Sequence, residues 1–271
     1  MAYFLYNGNF HSADETIFSP IALKQFLFED QLRVIKSRFL FWDEHLQLLQ
    51  LHFKLFNLKV PAILENEGKE LKRQIERSIT KNKYFHSTLV RISFFKREKQ
   101  IDYLIELVHK KESAYVFNPS GYALAPFTGI TKSDSPLSTL ASGSRKLWEM
   151  ANAHQDDPDT KPILLDGNLQ VLETPGSNIY LIKDQTVRTP SPLSGAYLNP
   201  AKRIIKKIAE NFELKYWEDD AITLEDLEEA DEVFLADDLN GVQFIRAFGP
   251  KRYFRKQATA IADEFNRLLI H

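Results

Sequence analysis

Residues 163–190 read ILLDGNLQVLETPGSNIYLIKDQTVRTP, and this stretch decides the architecture of the second half of the chain. Ile163 to Leu165 and Leu169 to Leu172 are apolar runs separated by Asp166-Gly167-Asn168, whose residues tolerate the backbone angles of a tight hairpin turn. Asn178 to Lys183 and Val187 to Thr189 repeat the pattern across a second polar turn. Glu173 then sits at a strand end, ahead of the turn formers Pro175 and Gly176.

Outward toward the C-terminus, Asn199-Pro200 predicts a helix start, with asparagine as cap and proline in the first turn, where its missing N–H costs nothing. That helix runs through Ile204, Ile205, Ile208 and Phe212. Thr223 caps a short helix through Leu227, Val233 to Leu235 is a strand, and Ala258 to Leu269 is a terminal helix. Toward the N-terminus, a helix over about Arg145 to His154 follows a polar, irregular stretch from Thr128 to Ser144.

The first half reads as a separate layer structure. Tyr3 to Tyr6, Asn7-Gly8 and Phe10 predict a hairpin, and Phe26 to Phe41 predicts two strands broken near Lys36-Ser37. A helix entered at Asp43 carries Leu46, Leu48, Leu49, Leu51, Phe53 and Phe56; a second runs through Leu71, Ile75 and Ile79. Strand-like runs follow at Thr88 to Phe95 and Tyr115 to Phe117. Asn118-Pro119-Ser120-Gly121 clusters turn formers. The expected organisation is a small N-terminal domain over 1–118, a linker at 119–122 and a larger C-terminal domain over 123–271.

Composition excludes several functions. With 271 residues and 44% apolar content the chain is long enough for two cores. A net charge of −2, without a basic stripe carrying aromatics, argues against nucleic acid as a partner. The absence of cysteine removes disulfide and thiolate chemistry. No apolar run is long enough to span a bilayer, and Met1 to Asn9 lacks the basic and apolar regions of a signal peptide, so the expected address is cytoplasmic. No His/Asp/Glu spacing completes a metal site.

Six segments, in order, resemble the class IV aminotransferases, the fold-type-IV pyridoxal-phosphate group of branched-chain aminotransferases, D-amino-acid aminotransferases and 4-amino-4-deoxychorismate lyases. They are Tyr6-Asn7-Gly8; Phe28-Glu29 with Leu32-Arg33-Val34; Trp42 to Leu46; Val171 to Tyr180; Lys183-Asp184 through Thr189-Pro190; and Leu224 to Leu235 with Gly241. The resemblance implies an α+β, two-domain fold, with a small N-terminal α/β sandwich-like domain and a larger domain with a barrel-like β core. It also implies a homodimer, a lysine that forms a Schiff base with the cofactor, a glutamate on the pyridine nitrogen, and an arginine with backbone N–H groups and hydroxyls on the 5′-phosphate.

This chain departs from that pattern at each of those places except the glutamate, Glu173. The lysine position is Ala141, and alanine forms no imine. The arginine position is Leu48, which removes a charge-assisted bond usually worth about 1.5–3 kcal/mol. At the phosphate-binding helix start stand Pro200, without an N–H, and Ala201, without a hydroxyl; after the later strand, Asp237 and Asp238 replace hydroxyl residues. Phe28, Arg33 and Ser177 complete the candidate lining of the family's cleft.

The expectation is therefore a degenerate homologue, with no bound cofactor and a cleft kept for binding or cofactor-free chemistry on an unknown small molecule. The alternative is an active aminotransferase or lyase that uses another lysine, with Lys146 and Lys132 as candidates. For both lysines a plain surface role is the favoured reading. Asp237-Asp238 reads as a solvated turn, His45 and His52 as packed histidines, and Arg33 equally as a cleft residue or a structural ion-pair partner.

Overall fold

Positive φ angles at Asn7 and Gly8 fold the first hairpin, β1 (Tyr3–Tyr6) on β2 (Asn9–Ser12), and positive φ at Lys36 and Ser37 turns β3 (Phe26–Ile35) into β4 (Arg38–Phe39). The computed structural model describes residues 2–14, 24–98, 100–219 and 221–270. The chain divides into two compact units, Met1–Ala114 and Tyr115–His271.

The small unit continues with α1 (Trp42–Leu55), α2 (Lys69–Asn82), β5 (Ser87–Arg97) and β6 (Gln100–His109). Its sheet is antiparallel, in the order β2-β1-β6-β5-β3-β4. Phe28, Phe53 and Phe94 pack ring on ring, with Leu49, Leu71 and Ile75 closing the core. The sequence reading missed β6, because Ile101, Tyr103 and Leu107 on one phase and Leu104 and Val108 on the other hide its period of two.

The large unit is built on a sheet ordered β12-β11-β10-β13-β14-β7-β8-β9, which curls into a half barrel. Its strands are β7 (Tyr122–Pro126), β8 (Thr160–Leu165), β9 (Val171–Glu173), β10 (Asn178–Lys183), β11 (Thr186–Pro190), β12 (Lys215–Asp219), β13 (Glu232–Asp237), β14 (Gly241–Phe248) and β15 (Lys251–Arg252), which pairs with β14. Both hairpins read from residues 163–190 are present, β8 on β9 and β10 on β11. The helices are α3 (Ala141–Ala153), α4 (Lys202–Asn211), α5 (Leu224–Glu229) and α6 (Lys256–Ile270). Thr223 caps α5 reciprocally with Asp226.

Three expectations are corrected. Tyr115 to Phe117 is irregular, not a strand: the Tyr115 N–H donates to Asn266 Oδ1, and the Tyr115 hydroxyl donates to the Asp238 carbonyl at 2.6 Å. The helix expected from Arg145 starts at Ala141. Its first turn is wound early because Ser144 donates to the Ser138 carbonyl, and because Gly143, lacking a Cβ, lets the Leu137 carbonyl lie against it. The helix expected from Asn199-Pro200 starts at Lys202, since Asn199 Oδ1 accepts the Ala201 N–H and the Asn199 carbonyl accepts the Lys202 N–H in a preceding turn.

Candidate functional site

Burial of a carboxylate without a partner is prohibitive, so the surroundings of Glu173 define the centre of the large unit. Glu173 ends β9 and is fully enclosed. Lys132 Nζ donates to its Oε2 at 2.6 Å, Trp148 Nε1 donates to its Oε1 at 2.7 Å, and the Tyr197 backbone N–H donates to its Oε2. Burial pushes the Glu173 carboxyl up and the Lys132 ammonium down, and each charge opposes the shift of the other.

Four segments supply this arrangement. Lys132 lies in the irregular stretch after β7 and is pinned by its own N–H to the Leu165 carbonyl at the end of β8. Trp148 lies on α3, two helical turns beyond Ala141 and so on the same stripe of that helix. The face bearing Ala141 is thus the one that reaches Glu173. Tyr197 follows the turn Pro192–Ser194, its ring packs edge-on against Trp148 at 5.0 Å, and its carbonyl accepts from Asn178 Nδ2.

Lys132 overturns its expected surface role. Its side chain is 1% exposed, whereas Lys146 is the surface lysine expected, paired with Glu149 at 2.6 Å. A lone lysine in a serine-rich stretch carries no sequence signal of burial; only the closeness of β8 and β9 brings it to Glu173.

A second cluster gathers other candidates. Ser177 Oγ donates to Asp237, whose Oδ1 also accepts the N–H groups of Leu239 and Asn240 at 2.8 and 2.6 Å. Asn199 Nδ2 donates to Asp238 at 3.0 Å. Asp237 and Asp238 are buried, which corrects the expectation of a solvated turn. Burial, and then the neighbouring Asp238, push the Asp237 carboxyl up to about 6, against the hydrogen bonds from Ser177 and Asn240. Pro200 and Ala201 are buried in the turn ahead of α4.

The remaining candidates lie in the small unit. Phe28 is enclosed in its core and stacks on His52 at 4.3 Å, and Leu48 is half-buried on α1. Arg33 donates to Ser87 Oγ at 2.9 Å and to the Glu112 carbonyl at 3.1 Å. His45 and His52 are packed as expected, on Asp30 and on the Leu48 carbonyl. Among the described residues no cluster of His, Asp and Glu is placed to hold a metal ion, and no helix is long and apolar enough to cross a membrane.

The backbone has close counterparts among solved structures. A branched-chain aminotransferase from Thermoproteus uzoniensis, solved with norvaline, superposes with a TM-score of 0.83 at 19% identity, over 99% of this chain and 95% of that one. The Escherichia coli branched-chain aminotransferase gives 0.82 at 19%, over 99% and 94%. A fold IV transaminase from Curtobacterium pusillum gives 0.80 at 16%, over 100% and 99%. At such identities the likeness shows the fold. No curated protein matches the sequence. The family model for amino-transferase class IV, however, matches residues 27–248, most of the chain. By that match the chain belongs to the class IV aminotransferase family.

Proposed function

We propose that this protein is a class IV aminotransferase homologue that has given up pyridoxal phosphate and serves as a binding or regulatory protein, as a homodimer in the cytoplasm. The observation that carries the reading is the saturation of Glu173. Both carboxylate oxygens are taken by donors of the chain itself, and one of these donors is a cation.

The residues present do not fit the cofactor. Glu173 is the residue that would meet the ring nitrogen, and Lys132 Nζ stands against it. Lys132 is also a poor replacement for the missing amine. The aldehyde carbon and the ring nitrogen lie at opposite ends of the pyridine ring, so a lysine joined to one cannot touch a carboxylate paired with the other. On the phosphate side, the Ala201 N–H is spent on Asn199 Oδ1, and the buried Asp237 and Asp238 oppose a doubly charged anion.

One observation favours the catalytic alternative: Lys132 is a buried lysine whose pKa is lowered by desolvation, a property of amine nucleophiles. Titration with pyridoxal phosphate, followed by borohydride reduction and peptide mass mapping, separates the two. The expected result for the natural chain, and for Ala141→Lys alone, is no visible absorption band and no reduced adduct. A stoichiometric adduct on Lys132 would establish the catalytic reading.

A further inference from the structure

We infer that the Glu173 pocket is an ammonium-binding site whose resident ligand is the chain's own Lys132, and that it takes a free primary alkylammonium once that side chain is removed. The inference deepens the reading above, and rests on it only in assigning the place of a ring nitrogen beside Glu173 to a cation of the chain.

The site is built from fixed parts. Trp148 Nε1 and the Tyr197 N–H hold the carboxylate from α3 and from the segment after Pro192–Ser194, and neither depends on Lys132. They are neutral donors, so among the described residues the charge of the enclosed carboxylate is left to one cation at 2.6 Å. The lysine is held as firmly as its partner. Its backbone N–H is tied to Leu165, and the next two residues are clamped by Gly195, at φ 92°, where a Cβ would come within 2.8 Å of both Asp134 Cα and Ser133 O. Lys132 is therefore a fixed plug and not a swinging arm. Truncating its side chain to alanine leaves a cavity the size of the part removed, ending at a carboxylate that already has its two neutral donors.

The test uses the full chain with n-propylammonium, which copies the lysine side chain beyond the Cβ that alanine keeps, and n-propanol, which copies its length without the charge. Lys132→Ala should melt well below the natural protein. Millimolar n-propylammonium should raise its Tm by several degrees, with little effect of n-propanol, and no effect of the amine on the natural protein or on Lys132→Ala/Glu173→Gln. Equal shifts in all three proteins, or none in Lys132→Ala, would overturn the inference. Should Lys132→Ala fail to fold, the volume-conserving Lys132→Met serves: Lys132→Met/Glu173→Gln should then be more stable than Lys132→Met, and a double variant no better than the single one refutes the pairing. Pyridoxal phosphate bound by the natural protein would sink the proposed function, whereas the amine arm fails on its own terms.

Discussion

Asp237→Asn should stabilise the protein at neutral pH and not in acid. The carboxyl is 1% exposed and its pKa stands at about 6 against an ordinary 3.8. That gap corresponds to roughly 3 kcal/mol. The sign is opposite to that of a salt-bridged aspartate. Below about pH 4 the group is protonated in both states; between about 4 and 6 the folded state holds a proton that the unfolded state has released, so this group's contribution to stability falls as pH rises, and above 6 the full cost of the buried charge is present. Asparagine cannot ionise, yet its Oδ1 can still accept the Leu239 and Asn240 N–H groups, and its amide can donate to Ser177 Oγ. Urea unfolding of both proteins at half-unit steps from pH 4 to 7.5 is the assay. The stability difference, variant minus natural protein, should start near zero and climb to between about 1 and 3 kcal/mol by pH 7. A difference independent of pH, or an asparagine variant less stable at pH 7, would show that the ionised carboxylate is net favourable in its hydrogen bonds and refute the argument.

Gly143→Ala should destabilise by about 1–3 kcal/mol despite alanine's better helix propensity, because the new methyl meets the Leu137 carbonyl; a gain in urea midpoint would mean that α3 does not begin at Ala141. Tyr180 is fully buried, stacks on Phe234 at 4.8 Å, and its hydroxyl has no hydrogen-bond partner among the described residues. Tyr180→Phe should therefore raise stability by about 1 kcal/mol, and a loss of that size would reveal a bound water. Asn199→Ala removes the acceptor of the Ala201 N–H and the donor to Asp238, and should cost about 1–2 kcal/mol by thermal unfolding, whereas an unchanged Tm would show that the turn ahead of α4 holds itself.

The sequence by itself determined the family and most of the local structure, because those rest on information a few residues wide. Asn7-Gly8 supplies the positive φ angles of the first hairpin, Asp166 Oδ1 accepts the N–H groups of Asn168 and Gln170 in the turn from β8 to β9, Thr223 and Asp226 close a capping box, and the ordered motifs from Tyr6 to Gly241 predict a fold that the superpositions show. Alanine at position 141 and leucine at 48 are equally plain in the sequence. Tertiary structure alone decided what fills the centre of the large unit. Lys132 and Glu173 are 41 residues apart, and nothing local distinguishes that lysine from Lys146. The pairing exists because β8 and β9 bring the Leu165 carbonyl and the Glu173 carboxylate together at one strand end. Burial of Asp237 and Asp238 likewise depends on Ser177, Asn199 and Tyr115 converging from separate segments. Hydrogen bonding of a buried charge is a long-range constraint, and a pattern of neighbours along the chain cannot express it.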